Sequence, residues 1–131
     1  AQESRGLGDV YKRQVLDTIS GRRYSDIIEI AKDQIRKTYM SDEISLNTIA
    51  AEVGMSPSYF SSIFSKEMGK TFVEYLTEIR MDRAKELLMC SSMKTSEIGY
   101  EVGYKDPHYF SYIFKKTQNC TPKEFRARGK E

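Results

Sequence analysis

Apolar residues recur along this chain at the three- and four-residue spacing of amphipathic helices, and no stretch alternates as a strand would. Ile27, Ile28, Ala31 and Ile35 share one face of a helix predicted from a Ser25 cap to about Tyr39. Ile49, Ala50 and Val53 predict a short helix that Gly54 ends, because glycine leaves a helix with positive φ at no steric cost. Ser56 and Pro57 read as the N-cap and first residue of the next helix, with Tyr59, Phe60, Ile63 and Phe64 inward. Thr71 caps a longer helix from about Phe72 to Met89. Its Phe72, Leu76, Ile79, Leu87 and Leu88, with Tyr75 nearby, can face partners towards both ends. At ~1.5 Å per residue this helix is roughly 27 Å long. Thr121 and Pro122 open a last helix that carries Phe125.

The pattern is used twice. The segment IAAEVGMSPSYFSSIFSKEMGKT (residues 49–71) returns as IGYEVGYKDPHYFSYIFKKTQNCT (residues 98–121), with one extra residue in the second turn. Ile49, Val53 and Gly54 match Ile98, Val102 and Gly103, and Pro57, Tyr59, Phe60, Ile63 and Phe64 match Pro107, Tyr109, Phe110, Ile113 and Phe114. Asp106 takes the place of the Ser56 cap, and Tyr109, Phe110, Ile113 and Phe114 are the expected inward face. Ala50 and Gly99 are the small residues that crossing helices need where they approach closely. The fold class is therefore all-α: two helix-turn-helix subdomains, residues 25–70 and 91–128, joined by a linker helix over residues 71–90.

Removing the inward residues leaves the outer face of each second helix. In the first unit that face is Ser58, Ser61, Ser62 and Ser65; in the second it is His108, Ser111, Tyr112 and Lys115. Both sets follow i, i+3, i+4, i+7, one stripe on one side of a helix. In a helix-turn-helix unit the second helix enters the major groove, so these eight residues are the candidate base contacts. Small hydroxyls let a helix approach closely and bond to bases or phosphates with little preference, whereas His108, Tyr112 and Lys115 reach further. Lys66, Lys105 and Lys116, with the helix starts at Thr71 and Thr121, are candidate phosphate contacts. Arg80 is read as structural.

Charge adds little to this picture as a total and more as a distribution. The formal net charge is +2. From Lys94 onward the chain has 8 basic and 5 acidic residues, against 13 and 14 before it. A local field at a contact face matters more than the sum. The two cysteines, Cys90 and Cys120, stand apart and make no metal or redox motif, so they are expected as reduced thiols. With one histidine, no phosphate-binding glycine loop and no nucleophile elbow, neither an enzyme nor a cofactor or metal site is expected. No apolar run suits a membrane span and no secretory signal is evident, so a cytoplasmic location is expected.

The stretch IGYEVGYKDPHYFSYIFKKTQNCTPKEFR (residues 98–126) and the helix YLTEIRMDRAKELL (residues 75–88) resemble the AraC/XylS family of bacterial transcription regulators. The resemblance covers roughly Ser25 to Arg128. It implies about seven helices, recognition helices near Ser56–Met68 and Asp106–Lys116, and sequence-specific binding to double-stranded DNA in successive major grooves. Gly99 departs from the family's more frequent alanine, and Asn119 from its glycine. In detail the chain looks like the output domain of an AraC-type response regulator, which implies an N-terminal receiver domain elsewhere in the protein. A sugar-sensing effector domain is the alternative, and RNA polymerase is a further candidate partner. An interaction module that keeps the fold without DNA affinity is the competing reading. Residues 1–24, which include DVYKRQ, similar to a translated sequencing-transposon end, are read as a tag, an assembly scar or a linker, and residues 129–131 as a tail.

Overall fold

The computed structural model describes residues 24–129, and every regular element among them is a helix. The first, α1, covers residues 24–38. It is followed by α2 (Leu46–Glu52), α3 (Pro57–Met68), α4 (Phe72–Cys90), α5 (Thr95–Glu101), α6 (Pro107–Gln118) and α7 (Pro122–Gly129). The reading of residues 1–24 as a scar or linker falls almost wholly outside the described residues.

Local chemistry sets most helix ends. Ser56 and Asp106 accept backbone N–H bonds at the starts of α3 and α6, each with proline in the first turn, as the sequence predicts. Gly69 and Asn119 end these two helices in the left-handed conformation, at φ 72° and 63°. Asparagine tolerates that region better than most residues, so the turn survives without glycine. Gly54 and Gly103 leave their short helices at φ 72° and 110°. One expectation fails: Ser25 is not the cap of α1, because the helix is already formed at Tyr24. The Ser25 hydroxyl instead donates across to Glu67 on α3.

The helices enclose two cores strung along α4. In the first, Ile28, Ala31 and Ile35 from α1 meet Ile49, Ala50, Phe60, Ile63 and Phe64, closed by Phe72, Tyr75 and Leu76. In the second, Met81, Ala84 and Leu88 meet Ile98, Val102, Phe110 and Phe114. One helix therefore belongs to both cores, and ownership changes between Leu76 and Met81. The four phenylalanines of α3 and α6 are wholly buried. Phe64 packs edge-on against Phe72 and Tyr75, and Phe114 against Phe125. Each such side chain contributes about 1.5–3 kcal/mol by burial alone. Gly99 lets α6 settle on α5, since a methyl group there would lie 3.1 Å from the Phe110 ring.

Tyr59 and Tyr109 correct the predicted inward faces: they are 45% and 52% exposed. Each precedes a buried phenylalanine by one residue, at the edge of the apolar stripe, where a ring with a polar tip gains more from solvent than from the core. The Tyr59 hydroxyl meets that of Tyr24 at 2.5 Å, and the Tyr109 ring lies 5.9 Å from that of Tyr104. Val53, Ile79 and Leu87 are only half-buried.

Candidate nucleic-acid interface

The candidate residues occupy the outward sides of α3 and α6, whose inward sides carry the four wholly buried phenylalanines. On α3, Ser58 and Ser62 are exposed while Ser61 and Ser65 are half-buried. Ser62 donates its hydroxyl back to the Ser58 carbonyl at 3.1 Å, an exposed bond that a stronger acceptor can replace. On α6, His108, Tyr112 and Lys115 are exposed and Ser111 is half-buried. Tyr112 is 58% exposed. Its ring lies 6.3 Å from Tyr109, and the Lys116 ammonium sits 5.8 Å over it.

Two aromatic residues that the predicted outer faces leave out, Tyr59 and Tyr109, lie exposed beside the candidate stripes. Tyr109 and Tyr112 form a ladder with Tyr104 along one edge of α6, and Tyr59 holds the equivalent place on α3. The helical spacing of Tyr59 and Tyr109 suggested core. The readable signal was their position, one residue off the Phe stripe, together with a hydroxyl that needs a partner.

Lys66, Lys105 and Lys116 are exposed, the first and third on α3 and α6 and Lys105 in the turn that leads into α6. The helix starts at Thr71 and Thr121 are more occupied than the sequence suggested. The Thr71 N–H donates to Glu74 at 2.9 Å while the Thr71 hydroxyl accepts from the Glu74 N–H at 3.1 Å. Thr121 and Glu124 repeat this reciprocal box with the same distances. The Thr71 N–H, then its hydroxyl, hold the Glu74 carboxyl below its ordinary range. Thr121 does the same for Glu124, with Arg128 and Lys115 adding attraction. Lys70 is raised by its bond to Glu78, which accepts at 2.8 Å.

Among the described residues no group of three or more His, Cys, Asp or Glu could hold a metal ion. No helix among them is long and apolar enough to cross a membrane. Cys90 is exposed, Cys120 is buried, and both are free.

Comparison with known proteins agrees with this arrangement. Residues 49–128 match a family model described as a helix-turn-helix domain. The chain is 36% identical over 100 residues to an uncharacterized HTH-type transcriptional regulator in the cgkA 5' region of Pseudoalteromonas carrageenovora, covering 76% of this chain and 58% of that protein. It is 34% identical over 94 residues to the arabinose operon regulatory protein of Escherichia coli K12, covering 68% of this chain and 32% of that one. The chain thus spans less than two thirds of these curated relatives. The C-terminal domain of AraT, a response regulator from Geobacillus stearothermophilus, superposes with a TM-score of 0.76 at 35% identity, over 78% of this chain and 84% of that one. With the repeated unit, its shared helix and these matches in agreement, the chain belongs to the AraC family of helix-turn-helix DNA-binding domains of transcription regulators.

Proposed function

We propose that the chain recognises a specific duplex by laying α3 and α6 in successive major grooves on one side of the DNA. The observation that carries this reading is the duplication itself: an outward polar stripe stands at the same place on the second helix of two units that share α4. That helix has 19 residues, a length of about 28 Å at 1.5 Å per residue. Adjacent grooves on one face lie about 34–36 Å apart, a span such a connector suits.

Within this reading, Ser58, Ser61, Ser62 and Ser65 form a close-fitting face of modest base preference. His108, Ser111, Tyr112 and Lys115 supply the longer reach and the larger share of discrimination. Lys66, Lys105 and Lys116 hold phosphates as point charges. Thr71 and Thr121 play the lesser part, because each gives its own N–H to a glutamate whose negative charge opposes an anion at that helix start. Of the amides beyond the box, α4 offers those of Phe72 and Val73, whereas α7 offers only that of Lys123, since Pro122 has no N–H.

The subdomain limits 25–70, 71–90 and 91–128 follow the same reading, with the linker helix as part of both cores. In the full-length protein a receiver or effector domain would supply the signal, RNA polymerase is a further candidate partner, and the site of action is the cytoplasm. Selection of duplexes from a random pool, sequenced at two salt concentrations, tests the proposal. Enrichment of two half-elements about one helical turn apart is expected. Weak binding that fades with salt and enriches no sequence would sink it and favour a scaffold without base readout.

A further inference from the structure

The two helix-turn-helix units share α4, and beyond it they meet through loops rather than by extensive packing of helix on helix. Of the helix pairs that pack extensively, α4 joins α3, α5 and α7, and none pairs α2 or α3 with α5, α6 or α7. A shared helix fixes the distance between two units. It does not by itself prevent each from rocking about its own half.

Arg80 lies where α4 passes from one core to the other, and it is the one buried charged residue among those described, 8% exposed. Its Nε donates to the Tyr39 carbonyl at 2.8 Å and its Nη2 to the Ser41 carbonyl at 2.9 Å, both in the loop between α1 and α2 of the first unit. Its guanidinium stands 4.8 Å over the ring of Tyr104, in the turn between α5 and α6 of the second unit. That turn comes close enough because residue 103 is glycine. A Cβ there would lie 2.6 Å from the Tyr39 carbonyl oxygen and 2.8 Å from Arg80 Nη2. One side chain on the shared helix therefore grips the α1–α2 loop of the first unit and the turn of the second. A planar guanidinium suits this place because it can bond in its plane and stack on its face at once.

We propose that Arg80 is a positioning residue that locks the relative orientation of the two units, and so sets the spacing between half-elements that the domain accepts in DNA. The lock rests on the groove reading above only for its consequence in DNA; the clamp itself is a property of the free chain. Tyr104 carries the turn that leads into α6 at Pro107, so fixing Tyr104 fixes the approach of the second recognition helix. Changing the spacing by one base pair moves a half-element by about 3.4 Å along the axis and about 35° around it. A rigid pair of units cannot follow that change; a loosened pair can.

Two measurements on the full chain test this. In the first, nitroxide labels at Glu52→Cys and Lys123→Cys, in a Cys90→Ser background, report the distance distribution between units in the free protein. The wild-type clamp should give one narrow distribution and Arg80→Ala a broad one. In the second, the duplex recovered by random-pool selection is remade with one base pair added to or removed from its spacer. The intact clamp should lose about tenfold or more in affinity, on the scale of a lost base contact. Arg80→Ala should lose no more than about threefold between spacers, with weaker binding to the best site because preorganisation is gone. Arg80→Lys keeps the charge and stem but cannot make the planar double contact, and should fall between them. It also serves if Arg80→Ala fails to fold by circular dichroism. A distance distribution as narrow as wild type, or an unchanged spacer penalty, in the folded variant overturns the proposal. If the parent chain enriches no duplex, the groove reading fails, and the distance measurement alone decides the lock.

Discussion

Gly54 and Gly103 occupy the same place in the two repeats, which makes their alanine variants a controlled pair. Both have positive φ, 72° and 110°. Around Gly54 a Cβ would meet nothing within 4 Å, so Gly54→Ala costs only backbone strain. That is about 1–2 kcal/mol for an L-residue in the left-handed region. At Gly103 the same methyl group would press on the Tyr39 carbonyl oxygen at 2.6 Å and on Arg80 Nη2 at 2.8 Å. Backbone strain of order 1–3 kcal/mol is then joined by loss of charge-assisted bonds to carbonyls, about 1.5–3 kcal/mol. Gly103→Ala should therefore cost about 1.5–3 kcal/mol more than Gly54→Ala, through the bonds that only the second site disturbs. Urea denaturation followed by circular dichroism, with equal slopes required of both variants, measures the difference. In Arg80→Ala the excess should shrink, because one of the two groups in the way is gone; the paired losses should not add. Equal destabilisation of the two variants, within about 0.5 kcal/mol, would refute both the steric argument and the role given to Arg80.

Three further outcomes are expected. Tyr112→Ala should relax preference at particular base pairs by about 1–3 kcal/mol each, read by repeating the duplex selection; an equal loss on every sequence would make Tyr112 a phosphate or packing residue. Lys116→Ala should weaken binding to all duplexes alike and reduce the slope of log affinity against log salt by about 1, measured by fluorescence anisotropy across a salt series. Glu74 and Glu124, held below the ordinary carboxylate range by Thr71 and Thr121, add stability at neutral pH that is lost as pH falls through their folded values. Glu74→Gln with Glu124→Gln should thus flatten the acid side of a stability profile from urea melts, and an unchanged acid limb would show that other groups govern it.

The duplication, the helix-turn-helix punctuation and the outer polar stripes were all legible in the sequence, because each depends on residues within a few positions of one another. Ser56, Asp106, Gly54, Gly103 and Asn119 act on their own backbone, so residue type alone announces them. The start of α1 was misread for the same reason: Ser25 has the chemistry of a cap, but the helix is already formed at Tyr24. Tyr59 and Tyr109 were misread because periodicity places a residue within a stripe and not at its edge. Their burial was decided by how closely neighbouring helices approach.

What the sequence determined by itself is the unit: two short apolar faces, a glycine turn, a capped second helix, and the repetition of all three. These follow from helical period and turn chemistry, which act over a turn or two of chain. What only the tertiary structure decided is how the units are held together. The guanidinium of Arg80, the carbonyls of Tyr39 and Ser41, the bare backbone of Gly103 and the ring of Tyr104 come from three separate stretches of chain. Nothing in their spacing joins them. They meet because two cores share one helix, and a buried charge at the changeover must find its partners in whatever backbone the two folded units bring there.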